Sequence, residues 1–269
     1  MPVLNNRDHA IGVFDSGLGG LTVAKEIIRA LPNENIVYFG DTARVPYGTK
    51  SKEAIIKFSI ENTNVLLRYK VKMIVVACNS SSSYALSILR ERFKIPIVGV
   101  IEPGAKKAME STRNNRVGVI ATSATIKSQE YVNALKRHKI SVSVIPQACP
   151  FFVPLVEEGW FNKKVTLLVA RQYLAPMKRK GVDTLILGCT HYPLLKSVLK
   201  KVMGKDVILV DSAKEVASQV KIILESMEKL RLNSAKPKYQ FLVSDRPQEF
   251  RKIAMKFLGW DISREVKNV

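Results

Sequence analysis

Short apolar runs rich in β-branched residues alternate with longer amphipathic stretches along most of the chain. The runs are residues 11–14, 36–39, 73–77, 97–100, 117–120, 142–145, 184–187 and 207–210. They are apolar at consecutive rather than alternate positions, which predicts strands buried on both faces. Between them lie residues 21–30, 52–69, 83–93, 128–138, 164–179 and 194–203, where apolar side chains recur at helical spacing. Strands alternating with helices of this length predict an α/β fold, with mainly parallel sheets flanked by helices.

The chain also repeats itself. Ile11-Gly-Val-Phe-Asp-Ser resembles Val117-Gly-Val-Ile-Ala-Thr, and Val75-Val-Ala-Cys-Asn-Ser resembles Ile186-Leu-Gly-Cys-Thr-His. Segments 41–48 and 148–159 occupy comparable places, each reading as a loop after a strand. An offset of roughly 110 residues is a domain duplication, not a solenoid. It predicts two pseudo-symmetric lobes with a cleft between them. Residues 211–269 have no counterpart in the repeat; a late strand at 239–243 and a helix at 248–258 are expected to return to the first lobe. The expected division is 1–98 plus 210–269 for the first lobe and 99–209 for the second.

In open parallel sheets ligands bind beyond the carboxyl ends of the strands. The chemically interesting residues all fall there. Asp15 and Ser16 follow the first strand, and Tyr47 and Gly48 lie in the loop after the second. Cys78, Asn79 and Ser80 follow residues 73–77, and Cys189, Thr190 and His191 follow 184–188. Two facing lobes would bring Cys78 and Cys189 to one cleft from opposite sides. A lone free cysteine usually reads as a small buried hydrophobe, and Cys149, among the apolar residues of Ala148-Cys-Pro-Phe-Phe, is read that way. Two cysteines at equivalent points of a duplication, each between a strand and a helix start, read differently. Helix starts offer positive potential and free N–H groups, which lower a thiol pKa. Residues 80–83 supply hydroxyls suited to capping, and Pro193 suits a first helical turn. His191, two residues from Cys189, is placed to exchange protons with a thiol.

Two acid/base groups on opposite faces of a small ligand are what a racemase requires. One removes a proton from a carbon stereocentre, and the other delivers a proton to the opposite face. Backbone N–H groups at helix starts, with Asn79, Ser80 and Thr190, can hold carboxylate oxygens and stabilise developing charge. The glycine-rich Phe14-Asp-Ser-Gly-Leu-Gly-Gly-Leu lacks the spacing of a nucleotide loop, so its glycines are read as a tight turn approached closely by a small ligand. Asp15 in that turn also reads as a cap for the next helix. Nothing suggests a pyridoxal phosphate site, and Cys189 with His191 lacks a second ligand pair at zinc spacing, so neither cofactor nor metal is expected.

Composition narrows the class. The 269 residues are 46% hydrophobic and 25% charged, as in an ordinary globular protein. Three cysteines do not make a disulfide framework. No apolar run is long enough to span a membrane. The N-terminal MPVLNNRDHAIGVF lacks a basic start followed by an apolar stretch, so no signal peptide and a cytoplasmic location are expected. The net charge of +20 brings nucleic acid into view as a partner. The basic residues do not cluster, and no zinc-finger spacing or aromatic–basic motif accompanies them, so a solvated surface is the plainer reading. Such a field also draws in a small anion.

At this point the chain resembles the glutamate racemases of the cofactor-independent Asp/Glu racemase superfamily. The resemblance covers nearly the whole chain. It rests on Phe14-Asp-Ser-Gly-Leu-Gly-Gly-Leu, Asp41-Thr-Ala-Arg-Val-Pro-Tyr-Gly, Ala77-Cys-Asn-Ser, Gly99-Val-Ile-Glu-Pro-Gly, Ala148-Cys-Pro-Phe-Phe-Val-Pro-Leu-Val-Glu-Glu-Gly, Leu187-Gly-Cys-Thr-His-Tyr-Pro and Val210-Asp-Ser-Ala, in that order. It implies interconversion of L- and D-glutamate for peptidoglycan, with Cys78 taking the proton from D-glutamate and Cys189 from L-glutamate. It implies that Asp15 and His191 assist the thiols, with Glu157 near the site. It implies substrate contacts from Asp15, Ser16, Tyr47, Gly48, Asn79, Ser80, Thr190 and His191, with Thr122 and Thr125 beside them. It also implies a homodimer and keeps DNA gyrase as an alternative partner. The chain departs from the family in having Ser80 where threonine is usual, and in the serines that follow it. Rival readings are a racemase for aspartate or a hydantoin, a nucleic-acid-binding protein, and a racemase fold kept for interaction only; the presence of both Cys78 and Cys189 argues against the last.

Overall fold

The computed structural model describes residues 6–262 and 266–269. Residues 1–5, part of the segment read for an export signal, lie outside the described residues. The first stretch runs β1 (Ile11–Asp15), α1 (Leu21–Ala30), β2 (Ile36–Gly40), α2 (Lys52–Arg68), β3 (Met73–Val76), α3 (Asn79–Arg92), β4 (Ile97–Gly99) and α4 (Ile101–Ser111). The second runs β5 (Arg116–Ala121), α5 (Ser123–Lys127), α6 (Glu130–His138), β6 (Ser143–Ala148), α7 (Phe152–Glu157), α8 (Lys164–Arg179), β7 (Thr184–Gly188), α9 (Lys196–Met203) and β8 (Ile208–Val210). The chain ends with α10 (Ala213–Ser226), β9 (Tyr239–Val243), α11 (Pro247–Leu258) and β10 (Val266–Asn268).

The strands form two parallel sheets, ordered β10-β9-β2-β1-β3-β4 and β6-β5-β7-β8. The winding of β1–β4 is therefore repeated by β5–β8, as the sequence repeat anticipates. The same repeat pairs β1 with β3 (Ile11 opposite Met73) and β5 with β7 (Val117 opposite Thr184). The chain passes between sheets in the stretch from Gly99 to Arg116, and returns between Val210 and Tyr239. In the six-stranded sheet Ile11, Val13, Ile36, Tyr38, Met73 and Val75 face one apolar cluster, while Phe14, Val37, Phe39, Ile74 and Val76 face another. Each buried side chain of this size contributes about 1.5–3 kcal/mol by leaving water. The larger cluster continues through Val98, Ala105 and Val216 to Val119 and Leu187, so both sheets share one core. Among the described residues, no helix is long and apolar enough to cross a membrane.

Local differences from the sequence reading have physical causes. The segment 148–159, read as a loop, contains α7, because Phe152, Val153, Leu155 and Val156 bury one face at helical spacing. The helix expected over 83–93 starts at Asn79, with Cys78 in extended conformation before it. Its early serines do not cap it: Ser82 and Ser83 donate back to the carbonyls of Val76 and Asn79. The helix expected over 128–138 starts at Glu130, because Gln129 adopts positive φ and separates it from the short α5 before it. Pro193 stands in a short 3-10 turn, Tyr192–Leu195, and α9 begins only after it.

Candidate active site

The carboxyl ends of β1, β2 and β3 meet those of β5 and β7 around a tight pocket. It is lined by Ser16, Val45, Pro46, Tyr47, Gly48, Cys78, Asn79, Ser80, Thr122, Val153, Glu157, Cys189, Thr190 and His191. Cys78 enters from the end of β3 and Cys189 from the end of β7. Two of the residues expected here, Asp15 and Thr125, stand behind the lining. Thr125 Oγ1 accepts from Thr122 Oγ1 at 3.0 Å, and Thr122 Oγ1 meets Ser80 Oγ at 2.9 Å, joining α3 to the start of α5. Asp15 is fully buried and accepts from Gly17 N at 3.1 Å and Thr190 Oγ1 at 3.3 Å, tying the β1 turn to the loop after β7. The same turn is anchored by Tyr38 Oη, which donates to Gly17 O at 2.6 Å. Gly19 touches the loop so closely that a Cβ there would stand 2.2 Å from Thr190 Oγ1.

The loop after β2 is braced from below. Asp41 accepts from Tyr47 Oη, from Arg44 Nε at 2.6 Å and from Ser244 Oγ at 2.9 Å. Asn62 Nδ2 donates to Tyr47 Oη at 3.0 Å. The Tyr47 hydroxyl is thus engaged inside the protein, which leaves its ring and backbone, with Gly48, to face the pocket. Ser244 ends the β9 region, so the stretch without a repeat partner supports a wall of the site.

The two thiols have unlike surroundings. Burial pushes Cys78 up to about 12; the Asp15 charge adds to this, and hydrogen bonds from Ser81 and Ser16 oppose it. The lowered thiol pKa expected from a helix start is therefore overturned at Cys78, because desolvation outweighs the helix-end field. Cys189 Sγ instead lies 3.8 Å from His191 Nδ1, and His191 Nε2 lies 3.2 Å from Glu157 Oε1. Burial disfavours an imidazolium, but the contacts with Cys189 and Glu157 prevail and push His191 up to about 10. Burial likewise raises Asp15, against the lowering effect of His191 and the backbone donors of the turn. Cys149 is fully buried, with Sγ 3.6 Å from Gln147 O, and its carbonyl accepts from Tyr192 Oη at 2.9 Å.

Sequence reasoning did not assign Val45, Pro46 or Val153 to the lining. The first two stand inside the quoted Asp41–Gly48 motif, which was the available signal. Val153 likewise stands inside the quoted Ala148–Gly159 motif, but that segment was read as a loop, and only α7 turns Val153 to the pocket. Tyr131, whose hydroxyl reaches Asn79, was also missed.

A pocket with a thiol from each half of a duplicated parallel-sheet fold suits proton transfer on both faces of one small acid. The family model for Asp/Glu/hydantoin racemases matches residues 11–220. The chain belongs to that family, and it is an amino-acid racemase. Several of its relatives within the family are glutamate racemases. That of Geobacter metallireducens is 53% identical over 250 residues, 93% of each chain. A glutamate racemase isoform of Bacillus anthracis superposes with a TM-score of 0.93 at 41% identity, covering 98% of each chain. The Francisella tularensis glutamate racemase, solved in complex with D-glutamate, gives 0.92 at 38% identity, again over 98% of each.

Proposed function

We propose that this racemase interconverts L- and D-glutamate by direct proton transfer at Cα between two thiols, without a cofactor. The observation that carries the reading is that Cys78 and Cys189 line one pocket from opposite halves of the duplication. From L-glutamate, Cys189 as thiolate takes the Cα proton and becomes a thiol. The electron pair moves into the carboxylate, where N–H groups of the helix starts, with Ser80 and Thr190, stabilise the added charge, while Asn79 holds a carboxylate oxygen in substrate and product alike. Cys78 as thiol then delivers its proton to the opposite face, which gives D-glutamate and leaves Cys78 as thiolate. The reverse direction exchanges the roles. An imidazolium at His191, 3.8 Å from Cys189 Sγ, complements a thiolate there, and burial favours the thiol at Cys78. Glu157 holds the imidazole, and Asp15 stands behind the pocket between the β1 turn and Thr190. The lobes are taken as 1–98 with 210–269, and 99–209. The wider role proposed is supply of D-glutamate for peptidoglycan in the cytoplasm, by a homodimer.

Deuterated buffer tests this directly. Wild type should convert each enantiomer with solvent deuterium at Cα of the product while unreacted substrate keeps its proton, because each face is served by its own base. Cys78→Ser and Cys189→Ser should each lose inversion by at least about a thousandfold, since the thiol is a reacting group. Retained inversion in either variant would sink the two-thiol mechanism. Inversion of another acid but not glutamate would sink the substrate.

A further inference from the structure

Asn79 opens α3 beside Cys78, and its Oδ1 accepts a hydrogen bond from Tyr131 Oη at 2.8 Å. The partners come from opposite halves. Asn79 follows β3 of the six-stranded sheet, whereas Tyr131 lies on α6, between β5 and β6 of the other. Both are buried, at 4% and 2% exposure. The tyrosine ring is closely confined. A Cβ on Gly188, the residue before Cys189, would stand 3.0 Å from Tyr131 Cε2, and one on Gly104 of α4 would meet the ring edge and hydroxyl at 3.6 Å. Burial raises the phenol's pKa far above its ordinary value, and the charge at Cys189 acts in the same direction, so the hydroxyl keeps its proton and stays a donor.

An asparagine amide has one acceptor branch and one donor branch. With the acceptor engaged by Tyr131, the donor Nδ2 is the branch left for the pocket that Asn79 lines. We propose that Tyr131 is a positioning residue: it fixes the Asn79 amide so that its NH2 group, not its carbonyl, meets a carboxylate oxygen of the substrate. This rests on the glutamate reading above. Without the hydroxyl the amide is free to turn, and a turned amide sets a carbonyl oxygen against a carboxylate. That penalty falls on ground state and transition state alike, so it appears in KM rather than kcat.

The test compares Tyr131→Phe, Asn79→Ala, their double variant and Asn79→Asp by steady-state racemisation of both enantiomers. Tyr131→Phe should raise KM about 5-fold, the worth of one ordinary hydrogen bond, with kcat within about 2-fold of wild type. In the Asn79→Ala background the same change should add less than about 2-fold, because the group it positions is gone. A structural role would lower stability or kcat in both backgrounds equally. An unchanged KM in Tyr131→Phe, or an equal rise in both backgrounds, overturns the proposal. Asn79→Asp gives a check that leaves Tyr131 intact: its carboxylate still accepts from the phenol but turns a charged oxygen to the substrate. KM should then exceed that of Asn79→Ala, and a wild-type KM would overturn the proposal. A wild type that leaves glutamate unexchanged removes the substrate reading and this proposal together; a racemising wild type with the failures just named removes the proposal alone.

Discussion

Replacing Glu157 by glutamine removes one charge beside His191 while keeping a hydrogen-bond acceptor of the same shape. Glu157 Oε1 lies 3.2 Å from His191 Nε2, and the carboxylate side chain is 32% exposed. Unit charges at that distance attract by about 5 kcal/mol at an effective dielectric of 20. Partial solvent exposure screens the pair, and about 2 kcal/mol is a fair remainder. At about 1.4 kcal/mol per pKa unit this is about 1.5 units. His191, held up to about 10, should therefore titrate between about 8 and 9 in Glu157→Gln. If the imidazolium supports a thiolate at Cys189, the alkaline limb of kcat/KM should move down by the same amount, with activity near neutrality changed by less than about 3-fold. The chain has only three histidines, so the His191 ring can be followed by NMR beside the racemisation profile. The stability consequence has a defined sign. A histidine whose folded pKa lies above its unfolded value of 6.5 adds stability below 6.5, and loses it as pH rises toward 10. Glu157→Gln should narrow that window from its alkaline side. A ring titration and an alkaline limb both within about 0.3 units of wild type would refute the reasoning.

Two further substitutions separate the site from the scaffold. Gly48→Ala would place a Cβ 2.6 Å from Thr122 Cβ, so the contact between the β2 loop and the start of α5 must open. Overpacking of this kind costs about 1–3 kcal/mol. KM should rise for both enantiomers, and kcat/KM should fall equally in both directions, because enantiomers have equal free energy; KM values unchanged within 2-fold would count against the role given to this loop. Lys72→Met breaks a buried pair at the opposite ends of the strands, where Lys72 Nζ lies 2.5 Å from Glu34 Oε2, with exposures of 0% and 2%. Loss of one buried partner costs about 3–5 kcal/mol, roughly 6–15 °C in Tm. A calorimetric scan should show that drop with kcat unchanged, and a drop in kcat at full stability would contradict the assignment.

Much of this molecule is legible in its sequence. Runs apolar at consecutive positions mark strands covered on both faces, and the repeated strand-to-cysteine segments mark the duplication. Both depend on local periodicity, which one chain displays without reference to its folded form. The polar residues at strand ends were legible for the same reason, since a parallel sheet delivers every loop after a strand to one edge. Short helices were less so. Helix α7 reads as a loop because Pro154 and the neighbouring aromatics carry little helical propensity, and packing of Phe152 and Val156 decides it. The serine run at the start of α3 looks like capping chemistry, but burial turns Ser82 and Ser83 back onto carbonyls.

The sequence alone determined that two thiols would stand at matching strand ends of a duplicated α/β fold. Only the tertiary structure decided how they differ. Desolvation at Cys78, the His191–Glu157 contact near Cys189, the hydrogen bond from Ser244 to Asp41 beneath Tyr47, and the Tyr131–Asn79 hydrogen bond all depend on residues far apart in the chain. Charge and hydrogen-bond energies depend on distance and burial in space, and a linear pattern carries neither.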